Sequence, residues 1–409
     1  MTTVPPLVLI EPYAHRLGGH HPRTLAALAA ARPGALVVAP HGAADPGLLR
    51  QAGARLVTGT RGPAAAALLA AAQWANAVSA AGRKAFASRR WPVALQRAPH
   101  QVTLLARCLT EAACLRTARH LVREPAAVVV LSASEALHGA TALLGGQPHL
   151  RFIHEAVTTE DTPVRLLGRL ARRGERRVVA LYPTAAVRHQ FAGAFPGLAG
   201  VARAFAVDDG HRLTDAERDS ARTAFGIPDG ATVVCLVGGW WPYKDIATVN
   251  AALARLTSPL HLVVTGTPLD EQVLTRWHEL PQVHLHTVPG PVGEQVLRLV
   301  YAAADAALVA RRPGVGKESG LVMDTARLGV PLLLSGHDPD LTARLAGQPW
   351  ARLFPVGDPG ALAAVLDALA TGLPPRPGPG APAVLGMATA AEQAAFLTTA
   401  YTRLIEELR

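Results

Sequence analysis

The stretch Val233–Val249, VVCLVGGWWPYKDIATV, decides the fold. A valine-rich apolar run leads directly into Gly238-Gly239, and after Trp240-Trp241-Pro242-Tyr243-Lys244 an apolar segment of helical spacing starts at about Asp245. A short strand, a glycine turn and a helix mouth in that order form the unit from which parallel α/β sheets are built. The glycines let the backbone approach a ligand closely, and Lys244 adds positive charge at the helix mouth. Alone, the pattern also fits a tight strand-to-helix turn with an exposed lysine. Lysine is scarce, however: Lys84, Lys244 and Lys317 are the only three among forty basic Lys and Arg residues. Lys244 beside Gly238-Gly239 and Lys317 beside Ser319-Gly320 suit compact ammonium groups aimed at a phosphate. Lys84 reads as a solvated surface charge.

The same rhythm extends in both directions. Short β-rich runs at Leu7–Ile10, Leu36–Ala39, Arg55–Thr58, Val128–Leu131, Leu150–Ile153 and Val178–Leu181 alternate with longer helical segments rich in alanine and leucine. A second set follows at Val233–Val237, Leu260–Thr265, Val283–His286, Ala306–Val309, Pro331–Leu334 and Leu353–Val356. This alternation predicts two Rossmann-like units, each a parallel sheet with helices on both faces and ligand loops at the carboxyl ends of its strands. Phe195-Pro196-Gly197 and Asp208-Asp209-Gly210 interrupt the pattern between the sets. The expected domains are 1–205, 206–385 and a closing helical segment 386–409. The Pro- and Gly-rich stretch Thr371–Ala383, just before that segment, is not expected to hold regular structure.

Composition narrows the partners. The formal charge of +10 comes almost wholly from arginines, with a denser group at Arg165, Arg169, Arg172, Arg173, Arg176 and Arg177. An aromatic content of 5% is too low for base-stacking platforms, so nucleic acid is not expected; the basic balance suits an anionic small substrate or a membrane surface. Cys108, Cys114 and Cys235 are odd in number and lack CxxC spacing, so a reduced cytoplasmic setting is expected. The opening MTTVPPLVLIEPYA has no basic n-region and reads as a first strand. No stretch reads as long and apolar enough to span a bilayer, so a soluble protein with no integral membrane segment is expected.

Two further segments converge on the glycine loop. Val283–Val309, VHLHTVPGPVGEQVLRLVYAAADAALV, reads as strand, Pro-Gly turn, helix to about Tyr301, and strand. In Arg311–Pro331, RRPGVGKESGLVMDTARLGVP, Gly314 and Gly316 loosen a loop before Ser319-Gly320-Leu321 open a helix. The free N–H groups of that helix mouth can bind phosphate, with Lys317 and Glu318 flanking it. Asp358 and Pro359 then read as N-cap and first residue of another helix.

In this order, strand-GG-K-helix, strand-VPG-V-helix-Tyr-AAD, SGL-helix-G-x-P and GDP-x-ALA, the region Thr232–Leu369 resembles the donor-binding domain of retaining GT-B-type glycosyltransferases of the family 4 group. The first half matches more loosely, through Gly18-Gly19, His154 and Tyr182-Pro183-Thr184. The resemblance implies two Rossmann-like domains facing a central cleft, with the last helix crossing back to the first domain. It also implies a hexosyltransferase-type reaction from a nucleotide-diphosphate sugar, a UDP-sugar in first place, to a small-molecule or lipid-linked acceptor, with retention and without a metal or other cofactor. Two features depart from the family pattern. Where the family carries an arginine shortly before the loop lysine, this chain has Trp240, Trp241 and Tyr243, and in place of two glutamates seven residues apart it has Glu318 and Asp324 at shorter spacing. The alternatives are another nucleotide-sugar enzyme of this fold, an epimerase or hydrolase, and a non-catalytic donor-binding partner protein.

On the resemblance, Lys244 neutralises the leaving diphosphate together with Lys317, Gly238, Gly239 and the N–H groups of Ser319, Gly320 and Leu321. Val288 and Gly290 border the base through backbone groups, Asp324 takes ribose hydroxyls, and Glu318 takes those of the donor sugar. His154 acts at the sugar or phosphate. Gly18, Gly19 and His20 form the opposing lip, and Ser132, Ser134 and Glu135 face the acceptor. For Gly18-Gly19-His20-His21 a metal site is the rival reading, but no acids stand at metal-ligand spacing.

Overall fold

The computed structural model of the chain describes residues 6–16, 21–86, 92–122, 126–154, 162–313 and 318–409. They fall into two compact units: the first strand with His21–Val207 and Thr389–Arg409, and Asp208–Ala388. In the first unit, strands β1 (Leu7–Ile10), β2 (Leu36–Val38), β3 (Arg55–Val57), β4 (Ala127–Val130), β5 (His149–Phe152), β6 (Val178–Tyr182) and β7 (Ala199–Ala202) form one parallel sheet in the order β3-β2-β1-β4-β5-β6-β7. The register is set by pairs such as Leu9 with Val37 on one side and Leu9 with Val129 on the other. The helix Ala390–Glu407 packs on His21–Ala31 and β4 of this unit. The short strand β8 (Val207–Asp208) leads into the second unit.

There, β9 (Val233–Val237), β10 (Leu260–Gly266), β11 (Val283–Pro289), β12 (Ala306–Val309), β13 (Leu332–Ser335) and β14 (Ala351–Phe354) form a second parallel sheet, ordered β11-β10-β9-β12-β13-β14. A two-residue strand, β15 (Ala388–Thr389), pairs with β8. All five residues of β9 are buried because both faces of the sheet are covered. Val234 and Leu236 point into a cluster with Val249, Leu253 and Trp277, while Val233, Cys235 and Val237 join Val300, Tyr301 and Leu328 on the other face. The two-residue period of a strand thus places apolar side chains on both faces of one run. Helix starts are fixed by side-chain caps: Thr184, Asp245, Ser319 and Asp358 each accept a hydrogen bond from the backbone N–H three residues on, worth about 1 kcal/mol apiece.

In both sheets the strand order reverses next to the first strand of the set, between β1 and β4 and between β9 and β12. At such a switch point the two following loops diverge to opposite faces and leave a crevice at the carboxyl ends of the strands.

Three expectations need correction. Edge strand β7, AGVA, was not expected, because it is short, largely exposed and contains a glycine. Gly200 is required there by packing, since a Cβ would lie 2.3 Å from the Tyr182 ring. Within the Pro- and Gly-rich stretch, Ala381–Val384 forms a single helical turn. Finally, the 23-residue helix Pro63–Ala85 is long and apolar enough to cross a membrane by length and composition, with a mean hydropathy of 1.3. Its alanines give apolar length without bulk. It lies along the helix Val93–Leu121, where Ser79 donates to the Pro99 carbonyl at 2.6 Å and lies 2.7 Å from the Thr103 hydroxyl.

Candidate functional site

The crevice at the switch point of the second unit is a cavity of about 400 Å³, within the range of small-ligand sites. Its wall includes Gly238, Gly239, Trp241, Tyr243 and Lys244 from the loop after β9 and Gly266 from the end of β10. Gly290, Pro291 and Val292 come from the turn after β11, and Arg311, Glu318, Gly320, Leu321 and Asp324 from the region after β12.

Backbone proximity dictates the glycines. A Cβ on Gly239 would lie 2.0 Å from the Thr267 carbonyl oxygen, and one on Gly266, at φ +140°, 2.3 Å from the Gly238 carbonyl carbon. The two loops at the switch point are stitched together, with Arg312 N–H donating to the Tyr243 carbonyl at 2.9 Å and Asp245 N–H to the Ala310 carbonyl at 3.1 Å. Trp240 turns into the core against Trp277, at 5.1 Å between ring centroids, whereas Trp241 stays half exposed at the cavity.

Two cations stand in this wall. Lys244 is buried, and its Nζ donates to the carbonyls of Val237 at 2.5 Å and Gly238 at 3.0 Å, which folds the side chain back over the glycine turn. Arg311 is only 3% exposed. Its Nη2 donates to the Ser319 hydroxyl at 2.8 Å, while Nε and Nη1 have no hydrogen-bond partner among the described residues. Burial pulls this guanidinium below the usual arginine range, opposed by Tyr243 and Asp338. Tyr243 lies under it, with the ring centroid 5.5 Å from Cζ. The same Ser319 hydroxyl caps the helix Gly320–Leu328 at Val322 N–H, so the arginine and the helix mouth are fixed to one atom. Asp324 is buried in the wall 3.6 Å from Arg327, which is held in turn by both carboxylate oxygens of Asp209.

Arg311 is the residue that sequence reasoning missed. The family pattern directs attention to an arginine before Lys244, yet here the chain brings one from the other switch-point loop, and Lys244 and Arg311 form a β-bridge. Among the expected residues, Gly238, Gly239, Lys244, Gly290, Glu318, Gly320, Leu321 and Asp324 meet at the cavity. Two do not. Val288 sits in the β10–β11 ladder opposite Thr265 and packs on the core, whereas Gly290, Pro291 and Val292 line the cavity. Ser319 acts as cap and as holder of Arg311 rather than as wall. Lys317 lies outside the described residues, as do Gly18, Gly19 and His20.

The first unit carries a different cluster at its own switch point. Glu11, at the end of β1, is 1% exposed and accepts from the Tyr13 N–H at 3.0 Å and the Ser132 hydroxyl at 2.6 Å. The Ser132 hydroxyl gives its one proton to Glu11, so His21 Nδ1, 2.9 Å from the Ser132 Oγ, must be the donor in that contact. The His21 ring lies 4.5 Å from that of His154, whose Nε2 is 2.7 Å from the Leu131 carbonyl. A carbonyl only accepts, so Nε2 carries the proton in this contact. Ser134 is buried. Its hydroxyl donates to the Ala136 carbonyl, and its backbone is tied to the buried pair of Glu111 and Arg151, 2.6 Å apart. These bonds hold Ser134 in the framework of the unit. Glu135 is buried 3.3 Å from Arg107. Among the described residues no group of three His, Cys, Asp or Glu side chains is placed to hold a metal ion.

No family model matches the sequence, and neither does any curated protein. Solved structures do match in three dimensions. Anabaena HepE in complex with UDP and glucose superposes with a TM-score of 0.58 at 13% identity, over 98% of each chain. A glycosyltransferase from Rickettsia africae gives 0.56 at 10% identity, over 99% of this chain and 96% of its own. A UDP-forming α,α-trehalose-phosphate synthase from Burkholderia xenovorans, in complex with glucose-6-phosphate, gives 0.56 at 12%, over 97% and 99%. With near-complete coverage of both sheets and their connections, these likenesses show that the chain has the GT-B fold, two Rossmann-like α/β units in one polypeptide.

Proposed function

We propose that the chain is a glycosyltransferase that moves a sugar from a nucleoside-diphosphate donor, a UDP-sugar in first place, to a hydroxyl of a small-molecule or lipid-linked acceptor. The observation that carries this reading is Arg311: a buried guanidinium with two unmatched donors in a cavity wall, beside Lys244 and a helix N-terminus. Burying a charge without partners costs several kcal/mol. An anion seated against Nε, Nη1 and the Gly320 and Leu321 N–H groups offsets that cost, and a diphosphate has the size and charge to reach all of them. UDP in the HepE complex and the UDP-forming reaction of the trehalose-phosphate synthase support uridine as the nucleoside.

In this reading Gly290–Val292 border the base, and Asp324 and Glu318 accept hydroxyls of the ribose and the donor sugar. As the bond from the anomeric carbon to the diphosphate breaks, negative charge grows on the leaving oxygen, which Arg311 and the helix N–H groups meet, with Lys244 adding positive charge from the glycine turn. The acceptor oxygen bonds the anomeric carbon and its proton passes to a phosphate oxygen, with retention. The cluster of Glu11, His21, Ser132 and His154 in the first unit is assigned to hydroxyls of the acceptor. Protein cations carry the leaving-group charge, so no metal is needed.

Calorimetric titration with UDP, GDP and dTDP tests the donor, and product analysis with the matching sugar nucleotides tests the reaction. Sugar found on an added acceptor supports transfer. Free sugar with UDP makes the chain a hydrolase, a new sugar nucleotide makes it an epimerase, binding without turnover makes it a donor-binding partner, and no nucleotide binding sinks the reading.

A further inference from the structure

The helix Thr162–Leu170, TPVRLLGRL, has its apolar side in the wrong place for a core helix. Leu166, Leu167 and Leu170 stand 55%, 43% and 70% exposed. Their spacing, i, i+1 and i+4, puts them on one face of the helix, and Arg169, about 60° from Leu166 and about 100° from Leu170, stands at the edge of that face. Arg172, Arg173, Arg176 and Arg177 follow, all exposed, and the nearby acid, Glu175, is buried. Immediately after this helix the backbone is clamped to its unit. A Cβ on Gly139 would lie 2.1 Å from the Ala171 carbonyl oxygen, and one on Gly174 2.2 Å from the Gly139 carbonyl oxygen, so the helices His138–Gly145 and Arg172–Glu175 touch backbone to backbone. The leucines therefore project from a fixed platform with positive charge at its carboxyl end.

We propose that this face docks the protein onto an anionic phospholipid bilayer. The charge selects the occupant. Among the described residues these exposed arginines have no accessible acid between them and match a negative surface, and three adjacent leucines can enter the boundary between headgroups and acyl chains, as a basic amphipathic helix does when it lies in a membrane interface. A duplex nucleic acid would match the arginines and leave the leucines in water. The inference is independent of the proposed catalytic reading, because it concerns residues that do not line the nucleotide cavity.

Flotation of the full chain with sonicated vesicles tests it, using one part phosphatidylglycerol to two parts phosphatidylcholine, with pure phosphatidylcholine in parallel. Wild-type protein is expected to float with the anionic vesicles, to be released by high salt, and to stay behind with the neutral ones. The double variant Leu167→Ser/Leu170→Ser should lower vesicle partition about tenfold or more. Arg169→Glu/Arg173→Glu should do the same, whereas Arg403→Glu/Arg409→Glu, of equal charge change at exposed positions at the end of the chain, should matter far less. These leucines are exposed, so the variants fold, which circular dichroism checks. Failure of the wild type to float, partition unchanged in the leucine variant, or binding to mixed-sequence duplex DNA that the leucine variant retains while vesicles are ignored would each overturn the proposal.

Discussion

Replacing Arg311 by Met separates a site arginine from a structural one. In the free protein the guanidinium is 3% exposed and, among the described residues, makes one hydrogen bond, to Ser319, while Nε and Nη1 have no partner. Removing such a charge in favour of an apolar side chain of similar volume relieves desolvation, so the unliganded variant is expected to be as stable as wild type or more stable, by about 1–3 kcal/mol. The diphosphate complex should lose two charge-assisted hydrogen bonds. At roughly 1.5 kcal/mol each, the low end for charged partners, the loss is about 3 kcal/mol, or about a hundredfold in the dissociation constant of UDP. Uridine, which lacks the phosphates, should bind both proteins alike, and Arg311→Lys should recover only part of the loss because an ammonium cannot reproduce the fork of donors. Calorimetric titration with UDP and uridine, beside thermal melts of the free proteins, reads all of this. UDP affinity within about threefold of wild type, equivalent to less than about 0.7 kcal/mol, would show that no phosphate meets Arg311. Equal losses for UDP and uridine, or a marked drop in stability, would show that the arginine holds the loops together instead.

Four other outcomes follow from the same geometry. Gly239→Ala should disrupt the β9 turn, because its Cβ has 2.0 Å to the Thr267 oxygen, and it should weaken UDP binding and cost on the order of 2 kcal/mol in urea unfolding; Gly372→Ala, in open space, should do neither. His154→Ala should lower turnover more than UDP affinity in steady-state kinetics, and an equal loss in both would move His154 to the nucleotide site. Burial and the Arg151 charge push His149 down to about 3 and hold His138 well below 6.5, so both stay neutral when folded and bind protons when unfolded. Their contribution is complete above about pH 6.5 and is lost on acidification at about 1.4 kcal/mol per pH unit each, down to about pH 3 for His149, so His149→Gln should remove one proton's worth of slope from urea stability measured between those limits. Transfer should persist in excess EDTA, and complete loss restored by magnesium or manganese would show that a metal rather than Arg311 and Lys244 meets the leaving phosphate.

The fold was legible because central parallel strands are buried on both faces and must be apolar throughout. Runs such as Leu7–Ile10, Val233–Val237 and Ala306–Val309 stand out for that reason, and the structure matches them residue for residue. Edge strands lack that constraint. Strand β7, with its Ala and Gly residues exposed, carries no comparable signal, and β11 runs three residues past its apolar core because pairing with β10, not burial, holds it. Helix mouths were legible for a local reason: Ser319, Asp245 and Asp358 each cap within three residues, so cap and helix are read together.

The site was legible only where it is local. Gly238, Gly239 and Lys244 lie within seven residues, and Glu318, Gly320 and Asp324 within seven more. Arg311 is 67 residues from Lys244 in sequence, and its relevance depends on the reversal of strand order that places β12 beside β9. In a chain with so many arginines, nothing in its immediate neighbours marks it. The missing arginine before Lys244 is therefore no sign of a lost site when the positive charge can come from the other loop of the same switch point. The same topology explains Glu11 and Ser132: they follow β1 and β4, 121 residues apart, and the reversal between those strands brings them to 2.6 Å. One rule of sheet topology thus collects two clusters of opposite character, buried cations after β9 and β12 and a buried carboxylate with histidines after β1, β4 and β5. Each cluster joins residues far apart in sequence, and a sequence search that looks only for neighbouring residues finds half of each.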